Sequence, residues 1–76
     1  MDTLGIQLIV EYLNEISDEM LDIIDDIETD VDKRRRWDIL EAKGNTILYV
    51  VHLLGYSLDL GYENNKCVYT GMHKVV

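Results

Sequence analysis

Proline and phenylalanine are absent from the 76 residues, cysteine occurs once, and Lys plus Arg number seven against fifteen Asp plus Glu. Each shortage excludes something. With Cys67 alone there is no intramolecular disulfide, and no Cys/His set has the spacing of a structural zinc site. The net charge of −8 repels bare nucleic acid and anionic membranes and favours basic protein partners. No apolar run reaches the ~20 residues that a membrane span requires. Met1-Asp2-Thr3 has no basic start of the signal-peptide kind, so the expectation is a cytoplasmic protein.

What is present is apolar and periodic. The hydrophobic fraction of 47% is that of a folded chain, so the acidity does not imply disorder. A single domain over residues 1–76 buries only about 60% of the surface that its unfolded chain exposes. Self-association is the remaining common remedy once disulfides and zinc are excluded.

Ile6, Ile9, Leu13, Ile16, Met20, Ile23 and Ile27 recur at spacings of 3, 4, 3, 4, 3 and 4, which keeps one stripe of an α-helix facing a partner. Val10, Ser17, Ile24 and Val31 widen that stripe to the breadth suited to a bundle. The spacing predicts a first helix over about 3–28, with Thr3 as its N-cap. Thr29-Asp30-Val31-Asp32 supplies capping side chains, with Thr29 and Asp32 at capping-box spacing, so a turn is expected at about 28–32. Trp37, Leu40, Gly44, Ile47, Val51, Leu54 and Leu58 repeat the same spacing and predict a second helix over about 32–58. Lys43-Gly44-Asn45 marks a possible break at 44–45, and residues 46–54 are β-branched and aromatic enough to compete as a strand.

The fold expected is therefore mainly all-α, an antiparallel hairpin of two long helices. A C-terminal segment over 59–76 completes it as a short β-hairpin or irregular stretch, with strands at Leu58 to Tyr62 and Cys67 to Thr70 around Glu63-Asn64-Asn65-Lys66. A turn near residue 30 sets Ile47 to Leu54 against Ile6 to Leu13. Both segments are apolar beyond the seam, at Leu8, Leu48, Tyr49, Val50, Leu53 and Leu54, so this end is the expected interface of a homodimer forming a helical bundle.

Ten of the fifteen acids lie between Glu11 and Asp32. Glu11, Glu15, Asp18, Glu19, Asp22, Asp25 and Asp26 occupy the face opposite the seam and are the candidate partner-binding set. Counting Glu28, eight carboxylates over about 27 Å of helix at ~1.5 Å per residue leave ~3.4 Å per charge. A nucleic-acid single strand has the same ~3.4 Å, so this face is expected either to mimic a phosphate backbone in a basic groove or to act as a solubilising surface.

Glu19-x-x-Asp22 facing Asp38-x-x-Glu41 resembles the acidic motifs of all-α nucleoside triphosphate pyrophosphatases, which would imply Mg²⁺-dependent hydrolysis. The departures are Asp22 and Asp38, which point away from the seam, and the lack of a basic set for a triphosphate. Lys33-Arg34-Arg35-Arg36 stands where a helix dipole disfavours cations, among acids that can offset it. Cys67, His52 and His73 form no triad or metal motif, and no cofactor-binding motif is present. Tyr49 and Tyr56 share the outer face of helix 2, with Tyr62 and Tyr69 beyond, as possible binding hot spots.

In size, acidity and lack of catalytic groups the chain resembles the inhibitors that phages and other mobile elements encode against host nucleases and defence complexes. The resemblance implies a non-enzymatic protein that binds and inhibits or regulates a protein with a basic surface. The alternative is an oligomeric adaptor that uses the tyrosine and C-terminal surface.

Overall fold

The computed structural model describes residues 2–75. The chain runs through α1 (Thr3–Ile23), a 3₁₀ turn (Ile24–Asp26), α2 (Val31–Leu53), β1 (Tyr56–Glu63) and β2 (Lys66–Lys74). It is mostly helical, two antiparallel helices followed by a two-stranded antiparallel hairpin.

Asp2, one residue before the expected cap, starts α1: its carboxylate accepts the Gly5 N–H at 2.7 Å. A carboxylate there also complements the positive end of the helix dipole. The α-helix stops at Ile23, five residues short of the expected end, and tightens into the 3₁₀ turn. Asp26 O then accepts from the N–H groups of Thr29 (3.2 Å) and Asp30 (2.9 Å), so the chain reverses without glycine or proline. The cap of α2 is Asp30 rather than Thr29, since its Oδ1 accepts from Asp32 N (3.0 Å) and Lys33 N (3.2 Å). Thr29 instead directs its hydroxyl to Asp26 O.

Helix α2 passes through Lys43-Gly44-Asn45 without a break, and residues 46–53 are helix, not strand. Its end comes at Leu53 instead of 58. Gly55 is the cause: at φ +81° it takes the left-handed conformation of a helix-terminating glycine, and its N–H donates to His52 O at 3.0 Å. Tyr56 to Leu58 therefore belong to β1.

The strands exceed the expected ones at both ends. Asn64 and Asn65, at φ 52° and 65°, form the two-residue turn whose twist suits a hairpin. Pairing runs from Glu63 opposite Lys66 to Leu60 opposite Tyr69, then resumes with Asp59 opposite Gly71, leaving Thr70 as an extra bulged residue. A Cβ at Gly61 would stand 2.7 Å from the Thr70 methyl, so glycine there makes room for the bulge.

The core is the helical seam: Leu13 and Ile16 from α1 and Leu40 and Val51 from α2 are the four buried apolar side chains among the described residues. A Cβ on Gly44 would lie 3.8 Å from Ile16 Cγ2, matching the alignment that a turn near residue 30 imposes. The hairpin packs on α1 through polar anchors. Asn14 Nδ2 donates to Tyr69 O (2.8 Å) while Tyr69 N–H donates to Asn14 Oδ1 (2.9 Å), and Lys66 Nζ reaches Asp18. Among the described residues no helix is long and apolar enough to cross a membrane.

Candidate functional site: an acidic row and an apolar cleft

The seven acids singled out on α1 do not form one continuous free surface. Three are engaged within the molecule. Asp18 pairs with Lys66 of the hairpin, Glu19 takes the Arg36 guanidinium at 2.6 Å, and Asp26 takes Lys33 at 2.8 Å. Glu11, Glu15, Asp22 and Asp25 are exposed and have no ion-pair partner among the described residues; Glu11 accepts only the Gln7 amide at 3.4 Å. With Asp18 they follow one another at steps of 4, 3, 4 and 3, a row along one side of α1 that continues into the 3₁₀ turn. At ~1.5 Å per residue, four unpaired charges spread over about 21 Å, sparser than the ~3.4 Å of a nucleic-acid strand. The row is a cation-attracting surface more than a copy of a phosphate backbone.

Three of the four cations in the basic run at the start of α2 are engaged in the same way. Lys33 reaches back to Asp26, Arg36 crosses to Glu19, and Arg34 lies 3.4 Å from Asp38 one turn along. The Lys33 ammonium is held above the usual lysine range, first by its hydrogen bond to Asp26 and then by that carboxylate's charge. Lys66 is raised likewise, chiefly by the hydrogen bond to Asp18, with the charges of Asp18, Glu63 and Asp22 adding to it. Both pairs are solvent-exposed, so each steers local geometry more than it stabilises the fold.

The carboxylates of the pyrophosphatase-like pattern diverge. Glu19 serves Arg36, Asp38 serves Arg34, Glu41 accepts the Trp37 indole N–H at 3.2 Å, and Asp22 stands near Lys66. Among the described residues no group of three or more His, Cys, Asp or Glu could hold a metal ion. His73 faces Asp59 across the hairpin at 2.6 Å, and Cys67 is exposed.

The tyrosines part company. Tyr56 starts β1 and so does not extend the helical face of Tyr49. Tyr56 and Tyr69 are half-buried, whereas Tyr49 is exposed and Tyr62 is 85% exposed. Of the residues expected at the associating end, Leu8, Tyr49, Val50, Leu53 and Leu54 are exposed, with Leu53 at 64%. Leu48 is half-buried and lines a cleft instead.

That cleft, of about 290 Å³, was not legible in the sequence. Leu13, Ile16, Met20 and Leu21 of α1 and Trp37, Leu40 and Leu48 of α2 supply its apolar lining, with Tyr69 of β2 at one side. Leu13, Ile16 and Leu40 are its buried floor, and the half-buried Met20, Trp37 and Leu48 with the exposed Leu21 are the walls that face solvent. Tyr69 joins them because Asn14 holds β2 against α1. Its direct cross-strand neighbour Leu60 is 64% exposed, and Tyr62 follows two residues on, so the hairpin carries an apolar face continuous with Tyr69.

Compared with protein families, curated proteins and solved structures, the chain matches none.

Proposed function

We propose that this protein is a non-enzymatic binding protein that docks on a basic surface of another protein and inhibits or regulates it. The observation that carries the reading is the row Glu11, Glu15, Asp22 and Asp25, without ion-pair partners among the described residues and running along α1 into the 3₁₀ turn, in a chain of net charge −8. Such a row attracts Lys/Arg-lined surfaces at long range and loses that attraction as salt rises. Proteins that handle nucleic acid carry surfaces of this kind, which suits the class of small acidic inhibitors that mobile elements direct at host nucleases and defence complexes.

The working unit in this proposal is a homodimer. Residues 3–10 and 44–58 contain no Asp, Glu, Lys or Arg, and their side chains Leu8, Tyr49, Val50, Leu53 and Leu54 remain exposed. Two copies can meet there without bringing their acidic rows together, completing a helical bundle. Light scattering at micromolar concentration is expected to return twice the 8.8 kDa of one chain; a monomer removes the dimer from the proposal.

The experiment for the binding reading is capture from a host lysate with elution by high salt. Replacing Glu11, Glu15, Asp22 and Asp25 by Lys should abolish capture while the circular dichroism spectrum is preserved. Capture that survives the four reversals and does not respond to salt transfers the binding role to Tyr49, Tyr62 and the hairpin. The marked exposure of Tyr62 favours that second reading.

A further inference from the structure

The acidic row does not account for the cleft between α1, α2 and Tyr69. Its volume of about 290 Å³ lies at the lower limit of small-molecule pockets, which run from ~300 to ~1,000 Å³, and its lining is mainly apolar. It suits a few side chains better than a cofactor. From Leu13 to Leu21 the floor extends about 12 Å at ~1.5 Å per residue, and three helical anchors at i, i+4 and i+7 span about 10.5 Å. A third helix laid over two is also an ordinary way to bury walls such as Met20, Leu21, Trp37 and Leu48, which the hairpin leaves partly exposed.

Charge decides what kind of helix. At the α1 border Asp18 and Asp22 stand either side of Leu21 along the chain, Asp18 pairs with Lys66, and Glu63 lies opposite Lys66 in the hairpin, three carboxylates to one ammonium; Asp25 lies one turn beyond Leu21. A second copy would bring its own net charge of −8 to this border, whereas the uncharged helix ends impose no such repulsion.

We propose that the cleft receives an amphipathic α-helix of the partner protein, with apolar side chains seated between α1 and α2 and Lys or Arg on the flank that meets Asp22, Asp25 and Glu63. This rests on the reading that the partner is basic and adds the element of it that is bound. Contact through the cleft supplies the desolvated anchor that an exposed acidic row lacks, since exposed charge pairs contribute little affinity on their own.

Trp37 lines the cleft and is the chain's only tryptophan, so its fluorescence reports occupancy. The probes are a synthetic Leu/Lys amphipathic helical peptide and its Leu/Glu counterpart, both without tryptophan. The Leu/Lys peptide should shift Trp37 emission saturably, and its Kd should rise at least tenfold in Leu21→Glu. Leu21 is 52% exposed, so this variant keeps the fold, which circular dichroism checks. Equal binding of the Leu/Glu peptide overturns the proposal, as does a Kd unchanged by Leu21→Glu, a peptide that fails to bind, or a Trp37 shift produced by raising the protein's own concentration. Reversal of Glu11 and Glu15 to Lys separates this proposal from the acidic-row reading, because both lie off the cleft. A peptide that binds without a Trp37 response and is lost on that reversal leaves the acidic row standing and removes the cleft. A Trp37 response that survives the reversal, in a protein whose lysate capture also survives it, supports the cleft and removes Glu11 and Glu15 from the binding surface.

Discussion

Asn14 and Tyr69, 55 residues apart, are joined by two hydrogen bonds that reproduce the pairing of two strand residues: the Asn14 carboxamide gives one bond to Tyr69 O and accepts one from Tyr69 N–H. The side chain of a helix thus takes the place of a third strand on the outer edge of β2. An isolated two-stranded hairpin is marginal in water, and this contact both anchors the hairpin on α1 and covers part of an exposed edge.

Asn14→Leu removes both partners of Tyr69 and leaves part-buried backbone groups unsatisfied. The expected cost is about 1–3 kcal/mol in urea denaturation. Amide hydrogen exchange at Tyr69 should rise more than at Leu40 in the helical seam. Uniform loss of protection across both helices would show that the contact supports the whole fold and not the hairpin in particular.

Two glycines in and after α2 should respond in opposite directions. Gly44→Ala places a methyl in ordinary contact with Ile16 Cγ2 and restricts the unfolded chain, so it should stabilise by about 0.5–1 kcal/mol. Gly55→Ala forces a β-carbon into the left-handed conformation at φ +81° and should destabilise by about 1–2 kcal/mol. Asn at 55 should cost less than Ala, because asparagine tolerates that region. Thermal melts of the three variants rank them directly.

The Lys66 ammonium, held above its ordinary value of 10.5 by the hydrogen bond to Asp18, ties the tip of the hairpin to α1. A raised lysine pKa contributes stability that is fully present below the unfolded value and is lost as pH rises through the higher folded value. The stability difference between the wild type and Lys66→Met should therefore be constant from pH 7 to about 10 and vanish at higher pH. It should also shrink in molar salt, since both partners are exposed.

The repeat of 3 and 4 in two blocks, with capping residues between them, was enough to specify two antiparallel helices and their alignment, because helical periodicity is a local property of the chain. Asn64-Asn65 between short apolar stretches left a hairpin and an irregular stretch both open, and the left-handed pair that its turn needs, favourable for asparagine, is what the folded chain adopts. The end of α2 was also readable locally: Gly55 directly after Leu54 is a terminating glycine, but the apolar stripe running on to Leu58 masks it. The 3₁₀ ending of α1 and the choice of Asp30 over Thr29 as cap were less accessible, because several side chains compete for the same few backbone groups.

The candidate site divides in the same way. That negative charge concentrates on α1 follows from composition and spacing. Which carboxylates remain free follows only from tertiary contacts, because Lys66 and Arg36 reach Asp18 and Glu19 from 48 and 17 residues away. The cleft belongs wholly to the folded state. Its floor is written in the apolar stripe, but its opening depends on where β2 lies, and two long-range hydrogen bonds from Asn14, a residue with no periodic signal, decide that.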